Sequence, residues 1–280
     1  MGHKPARPIY RFSSGRQPFG SVIVSLLILG GTRDGKRLAD RLHTFLPDTC
    51  PVIYSIAGLV REPELPCTVI SGGFAQYGGL SRYVKEQGIR AILDATHPYA
   101  ARISASAILA ARANRIPYWQ WQRAAWKPQS HDSWVEFDSW DYLLPKLSRF
   151  RSVLLAIGRP PEVVLRYCMN NPAIHFTIRT AAAQPKIQAA NIFWVDAIGP
   201  FTVAEEHALF THQAIDTVVC KNSGGDATAA KLEVARESGL PVFMLKRPGL
   251  PLADKSFRKM DECERYIASY AAIPGQKNAV

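Results

Sequence analysis

Val22-Ile23-Val24-Ser25-Leu26-Leu27-Ile28-Leu29 runs directly into Gly30-Gly31-Thr32-Arg33-Asp34-Gly35, and the reading of this junction decides the fold. The apolar run is far shorter than the roughly 18 residues that cross a bilayer, so it reads as a buried strand. No small-residue cleavage site follows it, which argues against a signal peptide. The glycines allow a tight turn. Asp34–Phe45 then places Leu38, Leu42 and Phe45 on one face, as a helix does.

The same rhythm continues outward. Strands are expected at Val52–Ile56, Ala91–Leu93 and Ile116–Trp121, and helices at Leu80–Gln87 and Ala100–Asn114. After a Trp-, Pro- and Ser-rich stretch, with a strand at Trp134–Phe137 and a helix at Trp140–Leu147, the alternation resumes. Strands are expected at Val153–Ile157, Ile174–Ile178, Ile192–Val195, Thr217–Cys220 and Pro241–Leu245. Helices are expected at Glu162–Met169, Val203–His212, Ala227–Ser238 (capped by Asp226) and Asp254–Tyr270. Alternation of this kind predicts an α/β protein with parallel sheets covered by helices. The expected organisation is a disordered basic leader (1–20), a dinucleotide-binding half (21–125) and a second half (126–280), each half doubly wound.

The chain has 280 residues, 47% of them hydrophobic and 20% charged, which excludes disordered and fibrous classes. Its net charge is +11, of which Lys4, Arg7, Arg11 and Arg16 supply +4 in the leader, leaving +7 for the folded part. Such a surface favours acidic partners. The arginines are scattered and no recognition helix or aromatic RNA motif accompanies them, so neither nucleic acid nor a membrane is the expected partner. The five cysteines (Cys50, Cys67, Cys168, Cys220, Cys263) form no CxxC pair. They read as buried packing residues in a reduced cytoplasmic setting, and no metal site is expected.

Three loops carry the chemistry. Gly30, Gly31, Thr32 and Arg33 lie between a strand and a helix, where backbone amides and the helix N-terminus suit a phosphate. The spacing is not the full GxGxxG pattern. The second strand ends in Tyr54-Ser55-Ile56-Ala57-Gly58 without the acid that holds an NAD ribose, and Arg33 and Arg61 are near, which favours NADP. The second loop, Asp94-Ala95-Thr96-His97-Pro98-Tyr99-Ala100, follows a strand at the sheet edge where such folds bind ligands. The third, Cys220-Lys221-Asn222-Ser223-Gly224-Gly225-Asp226, offers amides and an ammonium to an anion but lacks the ending of an ATP-binding loop.

Together these stretches resemble the precorrin-6A reductase family, which includes the cobalt-precorrin-6A branch. The resemblance is carried by Leu29-Gly30-Gly31-Thr32, Ser55-Ile56-Ala57-Gly58, Gly72-Gly73-Phe74 and Asp94–Ala100 with Ile103-Ser104. It continues through Gly199-Pro200-Phe201 with Glu206, Lys221–Gly225 with Lys231, and Arg247-Pro248. It implies two Rossmann-like domains that exchange a strand, with the active-site cleft between them. It also implies NADPH-dependent reduction of a double bond of the precorrin-6A or cobalt-precorrin-6A macrocycle in cobalamin biosynthesis, with hand-over to neighbouring corrin-pathway enzymes.

By the match, Gly30, Gly31, Thr32, Arg33, Ser55, Ala57, Gly58, Thr96 and Pro98 line the cofactor site. Asp94, Arg123, Arg159, Asn222, Ser223, Gly224 and Gly225 face an acidic tetrapyrrole, and His97, Tyr99 and Lys221 are the candidate proton donors. Two positions depart from the family pattern: Leu59 stands where an Arg is common, and Pro160 where a Gln is common. Two alternatives remain at this point: an NADP-dependent reductase of another small molecule, and a non-catalytic NADP- or tetrapyrrole-binding protein.

Overall fold

The computed structural model describes residues 25–57, 63–181 and 187–272. The leader, Val22–Val24, Gly58, Leu59 and Arg61 lie outside that set. β1 (Ser25–Leu29) is buried along its whole length, as a central parallel strand covered on both faces must be. Its neighbours in the first half are β2 (Val52–Ile56), β3 (Thr68–Ser71), β4 (Ile89–Asp94) and β5 (Tyr118–Trp121). The second half contributes β6 (Ser133–Phe137), β7 (Ser152–Ala156), β8 (His175–Thr180), β9 (Ile192–Asp196), β10 (Thr217–Lys221) and β11 (Pro241–Leu245). A short strand, β12 (Lys255–Phe257), comes last.

Two six-stranded sheets result, in the orders β12-β5-β4-β1-β2-β3 and β6-β11-β10-β7-β8-β9. Every neighbouring pair is parallel. Each sheet has the doubly wound Rossmann order, in which the chain reverses direction of travel beside its first strand. The sixth strand of each comes from the other half. β6 follows β5 in the chain but pairs with β11, while β12 follows β11 but pairs with β5.

The exchange alters the expected layout at the C-terminus. The stretch read as one helix, Asp254–Tyr270, is β12 followed by α8 (Met260–Ala271), and both build onto the first sheet rather than the 126–280 half. Phe257, Cys263 and Ile267 are buried in the first core beside Trp119. Asp254 fixes the start of β12 by accepting the Tyr118 amide proton at 2.7 Å. A three-residue edge strand has too few positions to show a period of two, which is why it is not visible as a strand in the sequence.

The helices cover the faces: α1 (Arg33–Phe45), α2 (Leu80–Glu86), α3 (Ala101–Asn114), α5 (Glu162–Asn170), α6 (Val203–His212) and α7 (Ala230–Glu237). A brief α4 (Trp140–Leu143) tightens into a 3-10 segment that contains Pro145. Asp226 opens a 3-10 turn rather than capping α7, because Gly225 and Ala229 occupy the cap positions. All five cysteines are free and buried. Among the described residues no helix is long and apolar enough to cross a membrane.

The two halves correspond position by position at the strand ends. Leu29 pairs with Asp94 in the first sheet, and Ala156 pairs with Cys220 in the second. Asp94 therefore matches Cys220, and three residues on, His97 matches Ser223.

Candidate functional site

The β1–α1 turn is built around Thr32, the N-cap of α1. Its hydroxyl accepts the Gly35 amide proton at 3.0 Å and donates to the Ala95 carbonyl at 2.8 Å. That second bond ties the turn to the β4 loop. Gly31 is exposed and its side-chain position is open space, while Arg33 stands exposed at the first helical position. Gly30 is required for a different reason: a Cβ there would fall inside the Tyr54 ring. The Tyr54 hydroxyl in turn accepts the Gly31 amide proton at 2.9 Å. Ser55 is buried beneath the turn, its carbonyl accepting from the Gly30 amide, and Ala57 is exposed at the end of β2.

At the end of β4, the Asp94 carboxylate is occupied by its own neighbours. One oxygen accepts the Thr96 amide (3.0 Å) and hydroxyl (2.6 Å), and the other accepts the Tyr118 hydroxyl at 2.7 Å. Asp94 shapes the loop that carries His97. The Tyr99 amide donates to His97 Nδ1 at 3.3 Å, so Nε2 carries the imidazole proton and donates to Ser223 Oγ at 3.0 Å. Burial, reinforced by Lys221, Arg123 and Arg247, pulls the His97 pKa down to about 4, so the ring is neutral. The Tyr99 hydroxyl accepts from the Asn222 amide at 2.8 Å and donates to the Leu245 carbonyl. Burial pushes its pKa up to about 12.

The β10 loop forms a strap between the halves. Asn222 exchanges hydrogen bonds with the Trp126 backbone at 2.8 and 3.1 Å. The Gly225 carbonyl accepts from the Trp126 indole, and the Gly224 carbonyl from Arg123. Gly224, at φ +67°, has no room for a Cβ against the Ala124 carbonyl. Arg247 closes the strap by donating to the carbonyls of Asn222, Arg123 and Ala124. Arg123, expected to face substrate, is also bonded to Asp34 at 2.8 Å in the first turn of α1. It thus links the β1–α1 turn to the strap.

Two cavities open on either side of His97, which lines both. The first, about 640 Å³, is walled by Thr96, Pro98, Gln120, Arg123, Arg247 and Arg258, with Asp94 at its base. The second, about 470 Å³, is walled by Tyr99, Gly158, Arg179, Lys221, Ser223 and Lys231. Arg159 is exposed beside Gly158 and lines neither cavity. Gly30, Gly31, Thr32, Arg33, Ser55 and Ala57 also lie outside both walls. The α1 turn is tied to the first cavity through Asp34, which accepts from Arg123 and from the Trp121 indole at 3.1 Å, and to the β4 loop through the Thr32–Ala95 bond.

The second cavity also holds two buried cations to which the sequence reading assigned no role, Arg179 and Lys231, beside the expected Lys221. Arg179 is paired with Glu206 at 2.7 Å, both almost fully buried, and stacks over Phe201 at 4.2 Å. Lys231 is 3% exposed and lies over the Trp126 ring at 4.5 Å. Lys221 faces the Tyr99 ring at 5.5 Å, and burial lowers its pKa. One signal was present: Lys231 interrupts the apolar series Ala230, Leu232, Val234 and Ala235 of α7, a place where an unpartnered ammonium is costly.

The precorrin-6x reductase CbiJ/CobK family model matches residues 25–268. The precorrin-6A reductase of Rhodococcus erythropolis is 37% identical over 235 residues, covering 82% of this chain and 92% of that protein. The cobalt-precorrin-6A reductase of Priestia megaterium is 24% identical over 234 residues, covering 80% of this chain and 90% of that protein. Among solved structures, the CobK precorrin-6A reductase superposes with a TM-score of 0.78 at 32% identity, covering 90% of this chain and 98% of that one. With the family's fold, its motifs in order and a match over nearly the whole described chain, this protein belongs to the precorrin-6x reductase family.

Proposed function

We propose that the chain is an NADPH-dependent reductase that saturates one double bond of the precorrin-6A macrocycle. The observation that carries this reading is the meeting of two sheet-edge crevices at His97 and Ser223, with a dinucleotide-type turn on one side and buried cations on the other. The residues present fit the cofactor. The first-turn amides of α1 and the open, exposed Gly31 suit a pyrophosphate, and the acid-free end of β2 with Arg33 nearby suits a 2′-phosphate. Thr96 and Pro98 would hold the nicotinamide end, at the wall of the first cavity.

When bound, NADPH supplies the hydride, two electrons and one proton's worth of hydrogen, to a carbon of the conjugated ring. The chain's own residues do the rest. Asp94 and Tyr118 hold the His97 loop in place, and the neutral His97 ring orients Ser223. The strap made by Asn222, Ser223, Gly224 and Gly225 closes the cleft from the second half, and Arg123 braces it. A second proton completes the reduction. Tyr99 is held by two backbone groups and His97 is neutral, so Lys221, half-buried and an ammonium acidified by burial, fits the donor role best. Asp94 acts as a positioning residue, and Arg159 meets the substrate only at the cleft mouth.

The higher identity to precorrin-6A reductases, 37% against 24% for the cobalt-precorrin relative, supports the metal-free ring as substrate. Five free thiols fit a reducing, cytoplasmic setting. The test is anaerobic incubation of the protein with NADPH and either ring, following nicotinamide absorbance and product mass. Consumption of NADPH in step with a product heavier by two hydrogens supports the reading; no consumption with either ring removes it.

A further inference from the structure

The second sheet has the same strand order as the first, so its own reversal point, between β7 and β10, is a place where such a fold would hold a second dinucleotide. The loop there is built differently. After β7 the chain reads Ile157-Gly158-Arg159-Pro160-Pro161, and Pro161 is the N-cap of α5. Two successive prolines remove backbone N–H donors where a pyrophosphate would need them. In their place the crevice holds side-chain cations. Arg179 lies one step beyond the Leu155–Ile178 pair, the position on β8 that Ser55 holds on β2.

The charges of this crevice do not cancel. Glu206 neutralises Arg179 at 2.7 Å. No salt bridge among the described residues reaches Lys221 or Lys231. Glu206, the carboxylate that acts on Lys231, is already bonded to Arg179, so one carboxylate serves three cations around this cavity. Lys231 makes one hydrogen bond among the described residues, to the Thr228 carbonyl, and rests on the Trp126 ring. An ammonium has three donors, so its hydrogen-bonding capacity is largely unused while it is 3% exposed. Burial holds its pKa down to about 8, as expected for a cation awaiting a counter-charge.

We infer that this second crevice has given up dinucleotide binding and anchors a carboxylate side chain of the macrocycle, with Lys231 as the specificity-determining cation at its floor. Arg179, neutralised by Glu206, shares the cavity wall with Lys231, whose ammonium is held by the Thr228 carbonyl and the Trp126 ring. The inference rests on the tetrapyrrole reading above and adds to it the residue that selects an acidic ring periphery.

The test uses Lys231→Met, which fills the same volume without charge, and Lys231→Arg. The Michaelis constants for precorrin-6A and NADPH are measured, together with binding of two probes: uroporphyrin, an octacarboxylate tetrapyrrole, and adenosine 2′,5′-bisphosphate. The expected result for Lys231→Met is about a tenfold or larger rise in precorrin-6A KM and a matching loss of uroporphyrin affinity. NADPH KM and bisphosphate affinity should stay within about twofold, and Lys231→Arg should recover much of the loss. Unchanged uroporphyrin binding by a folded Lys231→Met, or an equal loss for the bisphosphate, overturns the inference. If the wild type binds uroporphyrin through Lys231 but never oxidises NADPH, the reductase reading has failed while the anchor stands.

Discussion

His97 Nε2 and Ser223 Oγ lie 3.0 Å apart and occupy the same place in the two halves, each three residues beyond the pairing position at the end of its strand. The hydrogen bond therefore sits where the two reversal points of the sheets meet. Its existence requires both halves in register, so it reports on the cleft as a whole.

Because the His97 pKa falls from 6.5 to about 4 in the folded chain, the unfolded chain takes up a proton first as pH drops. This group contributes nothing above pH 6.5 and costs stability progressively between about pH 6.5 and 4. At pH 5 the cost is on the order of 1–2 kcal/mol. Urea unfolding at pH 7 and pH 5 should show a smaller loss for His97→Gln than for the wild type. Parallel losses would show that His97 is not held neutral.

Gly30→Ala should destabilise the protein through Tyr54. The added methyl must displace a ring that is 2% exposed and belongs to the first hydrophobic core. Overpacking of this kind costs about 1–3 kcal/mol. Thermal unfolding should fall by several degrees, and Tyr54→Ala in the same chain should recover part of the drop by vacating the space. An unchanged melting temperature for Gly30→Ala would contradict the packing described.

The Arg179–Glu206 pair should behave as a unit. Glu206→Leu leaves a buried guanidinium without its carboxylate and should cost about 3–5 kcal/mol, whereas Arg179→Met with Glu206→Leu should cost far less. Denaturant midpoints of the two single variants and the double variant give the coupling energy. Additive losses would mean that the two charges do not depend on each other.

Much of this was legible in the sequence and some was not. The loops at Gly30, Asp94 and Lys221 stood out because glycines and polar residues follow apolar strands, and the fold brings the last two together at His97 and Ser223. Asp94 read as free for substrate because its partner Tyr118 is 24 residues away. Arg179 was missed because its strand was expected to end at Ile178, and its partner Glu206 is 27 residues on. The return of β12 to the first sheet depends on pairing with β5, a contact between residues far apart in the chain. Local periodicity carries no information about such pairing.

Lys221→Met should lower kcat while leaving NADPH binding intact. As a proton donor, Lys221 works only when charged, so wild-type kcat should fall as pH rises through a pKa below the ordinary 10.5. The variant should lose that alkaline limb. A variant that keeps both kcat and the limb would assign the proton to another source.

The central claim is hydride transfer from a nicotinamide to the ring within the cleft, and isotope transfer tests it most directly. The protein is incubated without oxygen with precorrin-6A and NADPH deuterated at C4 of the nicotinamide, each face in turn. The account predicts that one face alone yields a product about three mass units heavier than the substrate, one deuterium and one hydrogen having been added. A product heavier by two units from both faces, or no product at all, would contradict it.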